Sequence, residues 1–210
     1  MGRAVGVVRK CCSFVPRPLL RQIVQSLVLC HLDYCSTVWS SAASGDMRKL
    51  QVVQNRAARL ILNCPLRANV SGMHACLSWL TVQNRVSFNT ILMFKTVMSN
   101  KTPVFINSQI VFRNTVHGHD TRGSSKGQLV LPRPKYSILK RSFIYRSLSL
   151  WNDLPRNLCC INSKLTFKKH LKFYLIQWDV MLFCFLLLIV LFSIFFSIFI
   201  WTSVLTVCIL

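Results

Sequence analysis

The sequence predicts a mainly α protein. Apolar residues recur at helical spacing in several windows. Prolines and small polar residues stand where those windows begin and end. Only one short segment, Leu129–Leu131, reads as a strand. The 210 residues are enough for one or two small cores.

Pro16 and Pro18 suit a helix start, and Leu19, Leu20, Ile23, Leu27 and Val28 follow at helical spacing. A segment at 32–40 carries Tyr34, Val38 and Trp39. The clearest helix is expected over 47–63, with Asp46 as its N-cap. Leu50, Val53, Ala57, Leu60 and Ile61 fall within roughly 100° of one face. Arg48, Lys49, Arg56 and Arg59 occupy a similar arc on the opposite side, and Pro65 ends the helix. No acid interleaves this stripe, so i,i+4 pairing does not account for it. It reads either as a solvated face or as a phosphate-contacting one.

Val70–Leu80 predicts a short helix and Thr81–Met98 a longer one, apolar at Val82, Val86, Ile91, Leu92, Phe94, Val97 and Met98. The longer helix should end near Lys101-Thr102-Pro103. His117–Gly127 is rich in Gly and Ser and reads as an exposed loop, with His117 and His119 solvated. A helix from Ile138 to Asn152 should turn Phe143, Leu148 and Trp151 inward. Ser163 can cap a further helix with Phe167, Leu171 and Leu175 on one side. Lys164, Lys168, Lys169 and Lys172 make a second basic face there. The chain divides into 1–105, a loop-rich basic part at 106–178 and a hydrophobic tail at 179–210, with no internal repeat.

Charge is lopsided. All 26 Lys and Arg, and four of the five acids, lie in the first 178 residues, which therefore carry about +22. Such a body has nucleic-acid phosphate or an anionic membrane surface as its counter-surface. No signal-peptide h-region follows Arg3, Arg9 and Lys10. The ten cysteines are therefore expected reduced and buried as structural residues.

Val180–Ile200 is a 21-residue run without charge, interrupted only by Ser193 and Ser197. About 20 such residues span a bilayer core. The Lys-rich flank at 164–172 would keep the body cytosolic. The same residue types are written by thymine-rich codons, so translated noncoding sequence is the alternative origin.

Polymerase and nuclease chemistry needs paired carboxylates to hold two Mg²⁺ ions. This chain has no Asp-Asp pair and no Glu. The Cys and His clusters are Cys30-His31 with Cys35, His74 with Cys76, His117 with His119, and Cys159-Cys160. None has the spacing of a zinc site, so no metal or cofactor is expected. Nothing orients a Cys–His pair for catalysis.

One ordered set of short motifs spans residues 9–175. It runs Arg9-Lys10, Leu32-Asp33-Tyr34-Cys35, Val38-Trp39, Leu50, Gln54-Asn55-Arg56-Ala57, Arg59 and Leu77 to Leu80. It continues with Thr121-Arg122, Leu131-Pro132, Ser142-Phe143, Trp151-Asn152-Asp153-Leu154-Pro155 and Phe167-Lys168 to Leu171. In this it resembles the C-terminal region of jockey-like non-LTR retrotransposon reverse transcriptases. Cys30 departs from the family, which usually has Pro before the Leu-Asp-Tyr segment.

The resemblance implies a thumb-like helical bundle at 1–105, followed by the loop-rich helical C-terminal part. The hydrophobic terminal helix is no part of the family pattern. It implies a catalytically inactive chain that grips template and primer, RNA or DNA, by the backbone. Arg48, Lys49, Arg56, Arg59, Lys168, Lys169 and Lys172 are the expected phosphate contacts. The Gln54-Asn55-Arg56 edge would position the duplex without reading its sequence. Asp33 should cap or bond locally, while Tyr34, Trp39 and Trp151 should be core anchors. The expected location is nuclear or cytoplasmic by resemblance, or membrane if the tail is a true C-terminal span. The alternatives are a small tail-anchored membrane protein with a basic cytosolic body and a pseudogene product without function.

Overall fold

A computed structural model describes residues 1–116 and 127–177. The His117–Gly127 loop, save its last residue, and the 179–210 tail lie outside these. Among the described residues the protein is mainly helical, and no helix is long and apolar enough to cross a membrane.

The chain opens with a helix that the spacing did not reveal. α1 (Gly2–Cys11) buries Val5 and Val8. α2 (Arg17–Val24) begins as its prolines predict, with Pro16 at the N-cap and Pro18 in the first turn. It continues through a π turn, Gln25–Leu29, into α3 (Cys30–Asp33). The wider turn keeps Leu20, Val24, Val28, Leu29 and Leu32 on the buried side. Leu19 and Leu27, expected inward, are about half exposed, at 49% and 48%. Cys35 adopts a left-handed conformation (φ 47°) and separates α3 from α4 (Ser36–Trp39).

α5 (Ser44–Leu62) starts before Asp46, with Ala43 at the N-cap. Asp46 therefore lies in the first turn, where a carboxylate complements the helix dipole. The buried face is Met47, Gln54, Ala57, Ala58 and Ile61. That is a rotation of about 70° from the expected face, at ~100° per residue. Leu50, Val53 and Leu60 are only half buried.

α6 (Val70–Leu77) is capped by Asn69, which accepts from Ser71 N–H at 3.0 Å. α7 (Val82–Asn100) is capped by Thr81, which accepts from Asn84 N–H at 3.3 Å. α5, α6 and α7 each end on a left-handed residue other than glycine: Asn63, Ser78 and Lys101.

Polar side chains of α5 hold the α6–α7 connection. Gln54 Nε2 donates to Leu80 O at 2.8 Å, and Gln51 Oε1 accepts from Val82 N–H at 2.7 Å. Asn55 Oδ1 accepts from Gln51 Nε2 at 2.8 Å and faces His74 Nε2 at 3.0 Å. An amide oxygen there requires the imidazole proton on Nε2.

Two hydrophobic cores share α7. The first draws on α1, α2, α3, α5, α6 and the start of α7, as far as Val86. The second takes Phe88, Ile91 and Phe94 of α7, with residues from the C-terminal part. Thr90 is buried in α7 and donates back to Val86 O at 2.8 Å, so its hydroxyl is satisfied within the helix.

After α7 come the short α8 (Val104–Asn107) and α9 (Arg113–Val116). The expected strand at Leu129–Leu131 is reduced to one antiparallel bridge, Phe112 to Leu129. The Asn152 side chain takes the place of a neighbouring strand. It accepts from Leu129 N–H at 2.8 Å and donates to Leu129 O at 3.0 Å.

α10 (Phe143–Asn152) begins later than Ile138, because Ser142 caps it by accepting from Tyr145 N–H at 3.3 Å. A 3₁₀ turn, Leu139–Arg141, fills the difference. α11 (Arg156–Cys159) follows Pro155. The helix at 164–177, here α12, has Ser163 Oγ 3.5 Å from Thr166 N–H at its start. It buries Phe167, Leu171 and Leu175 as its spacing predicts.

Trp151 anchors the second core. Its ring lies 5.6 Å from Phe94 and 6.0 Å from Phe167 between centroids. Lys95 Nζ sits 5.5 Å and 5.4 Å from the Trp151 and Phe167 ring centres. Truncation, Trp151→Ala, should cost about 3–5 kcal/mol, read from urea denaturation.

Burial holds His74 below its ordinary pKa of 6.5. The folded imidazole stays neutral, while the unfolded one gains a proton as pH falls below 6.5. Stability should be complete above that value, decline on acidification and level off below the folded pKa. Denaturation midpoints from about pH 7.5 to 5 would measure it. The variant His74→Gln should flatten that part of the profile.

Candidate nucleic-acid interface

The rotation of α5 turns most of its basic stripe toward solvent. Arg48, Lys49 and Arg56 are exposed and Arg59 is half buried. Lys49 is not free of acids, as the sequence suggested. Its Nζ lies 2.9 Å from Asp46, one helical turn back, in an exposed pair. Such pairs contribute little and are screened by salt. Among the described residues no carboxylate reaches Arg48, Arg56 or Arg59.

α1 extends this stripe. It places Arg9 on the rim of a groove of about 540 Å³, shared with Arg56, Arg59 and the end of α5. Gly2 and Gly6 leave the α1 side open, since a Cβ at either meets nothing within 4 Å. The buried Arg59 Nε has no hydrogen-bond partner among the described residues. The three arginines therefore share a groove lined by no acid.

The C-terminal lysines lie elsewhere. Lys168 and Lys172 line a second cleft of about 270 Å³, between α2, the α6–α7 connection, α7 and α12. Arg21 and Arg85 complete its cationic wall, and Leu29, Leu80 and Phe88 contribute apolar lining. Lys164 and Lys169 are exposed on α12 and line neither cavity.

Asp33 is the one acid lining this cleft. Contrary to the local role expected of it, it pairs across the fold. Its two oxygens accept from Arg85 Nε at 2.5 Å and Arg85 Nη2 at 2.8 Å. Asn89 Nδ2 approaches Asp33 at 3.3 Å and donates to Ser36 Oγ at 2.9 Å. Arg21 Nη2 donates to Leu77 O at 2.7 Å. Burial, followed by the charges of Arg85, Arg21 and Lys168, lowers the Lys172 pKa below the ordinary lysine value.

Three further expectations are corrected. Gln54, placed on a nucleic-acid edge, is fully buried and bonded to Leu80, because α5 turns that face inward. Tyr34 is 77% exposed beyond the end of α3, whereas Trp39 is half buried and donates Nε1–H to Tyr34 O at 2.9 Å. The described cysteines are free thiols, exposed or half buried rather than core residues. They lie at helix ends and on outer faces.

Among the described residues no three His, Cys, Asp or Glu side chains gather as a metal site. No family model matches the chain, and neither a curated protein nor a solved structure matches it.

The burial of Gln54 separates two roles by experiment. Gln54→Ala should cost about 1–3 kcal/mol, because it strands a buried carbonyl. The salt dependence of any nucleic-acid binding should stay as in the parent. A lower salt slope at unchanged stability would assign Gln54 to the interface instead.

Proposed function

We propose that the protein grips nucleic acid by its phosphate backbone, as the C-terminal region of a jockey-like non-LTR retrotransposon reverse transcriptase, without polymerase chemistry of its own. The observation that carries this reading is the α5 stripe. Arg48 and Arg56 are exposed and Arg59 is half buried, all three unpaired with any described acid, and α1 adds Arg9 at the groove of Arg56 and Arg59. A row of guanidinium groups at helical spacing suits contacts that position a strand without reading it.

The ordered motif set between Arg9 and Leu175 supports the family assignment. The lack of any Asp-Asp pair or Glu supports a binding role in place of catalysis. On this reading RNA and a DNA primer are the partners, no cofactor is needed, and the location is nuclear or cytoplasmic.

Filter binding of the full chain, held in neutral detergent, to RNA and DNA duplexes of unrelated sequence tests the proposal. Binding should be sequence-indifferent and should weaken steeply with salt. The double variant Arg48→Gln/Arg56→Gln should lower the log–log salt slope by about 2, near 0.9 for each phosphate no longer neutralised. No binding at low salt would sink the reading.

The uncharged run Val180–Ile200 favours a second reading, a tail anchor with the basic body facing the cytosol. Membrane fractionation decides it. A true span stays with the membrane in alkaline carbonate; release into the supernatant rejects it.

A further inference from the structure

We propose that the cleft formed by Arg21, Arg85, Lys168 and Lys172 is a receptor for a single phosphate group, distinct from the α5 stripe.

Four cationic side chains converge on one cavity, and the only acid among its lining residues is Asp33. That carboxylate is already engaged by both Arg85 donors. Lys168 and Lys172 lie one turn apart on α12 and face the cleft together. Like charges gathered this way repel, and an anion in the cleft relieves all of them at once. The lowered Lys172 pKa reports partial burial first, and after it the same repulsion from Arg85, Arg21 and Lys168.

Size and construction point the same way. At about 270 Å³ the cleft is at or below the ~300–1,000 Å³ typical of drug-sized ligands. It suits a small polar group. Two of its cations are fixed in place, Arg21 by the Leu77 carbonyl and Arg85 by Asp33, while Lys168 and Lys172 are in no ion pair among the described residues. A guanidinium wall held by the fold, with two ammonium groups on the same cleft, is arranged for tetrahedral oxygens.

The cleft also lies between the two cores. Arg21 belongs to α2, which packs in the first core, and the lysines belong to α12, which packs in the second. A phosphate held between them ties the two cores together. The inference rests on the proposed function only for the source of the phosphate, a nucleic-acid strand.

Competitive acylation of lysines tests it on the full chain in neutral detergent, read by mass spectrometry at fixed ionic strength. Inorganic phosphate should protect Lys168 and Lys172 several-fold over chloride and leave Lys10 and Lys101 unprotected. It should also raise the Tm of the parent chain and not that of Lys168→Gln/Lys172→Gln. Equal protection of all four lysines, or the same Tm rise in the double variant, overturns the proposal.

Duplexes with and without a 5′-phosphate identify the source. Protection by both assigns the cleft to internal strand phosphates, and protection by the phosphorylated duplex alone assigns it to a strand end. A chain that binds duplex yet shows no protection by phosphate or by either duplex loses the cleft and keeps the proposed function. A chain protected by phosphate that binds no duplex keeps the cleft and loses the proposed function.

Discussion

The polar edge of α5 governs the rest of the fold. Gln51, Gln54 and Asn55 hold three points on the α6–α7 region: the Val82 amide, the Leu80 carbonyl and the His74 ring. The two cores meet at that connection, since Trp79 and Val82 belong to the first and Leu80, between them, to the second. A free chain crossing between two cores would leave backbone groups buried without partners, which is costly. The α5 amides satisfy them and fix the direction in which α7 leaves. That direction brings Arg85 onto Asp33 and sets the wall of the basic cleft. One small hydrogen-bonded cluster thus places both a structural junction and a charged surface.

The strongest helices were legible as periodicity, and their faces less so. Counting apolar residues put the buried side of α5 on Leu50, Val53 and Leu60. Gln54 belongs inside, and only the distant Leu80 carbonyl makes that favourable. No local pattern encodes a partner 26 residues away. The same limit hid Asp33 and Arg85, whose pairing spans 52 residues. α1 has no legible periodicity because Gly2, Gly6, Arg9 and Lys10 dilute a pattern that rests on Val5 and Val8. α10 starts after Ser142 and not at Ile138, because Ser142 competes effectively as a cap. The basic residues chosen on α5 do share one surface. Lys168 and Lys172 join another with Arg21 and Arg85, which no spacing rule would gather.

One run of the ordered motif set, Trp151 to Pro155, has a structural explanation. Trp151 packs between Phe94, edge-on, and Phe167, tilted; Asn152 brackets Leu129, and Pro155 precedes α11. None of these residues contributes to either basic surface. A motif of this kind identifies a scaffold, and the activity of the scaffold has to be argued from the charged groups it displays.

The π turn at Gln25–Leu29 sets the phase of everything after it. Wound as ordinary α-helix with all five residues kept, it would rotate the following turn by about 100°. Leu32 would then leave the core, and Asp33 would swing away from Arg85 and Asn89. The wider winding absorbs one residue and so preserves the carboxylate's bearing. The segment behaves as a frame-setting insertion, in which the count of residues matters as much as their identity.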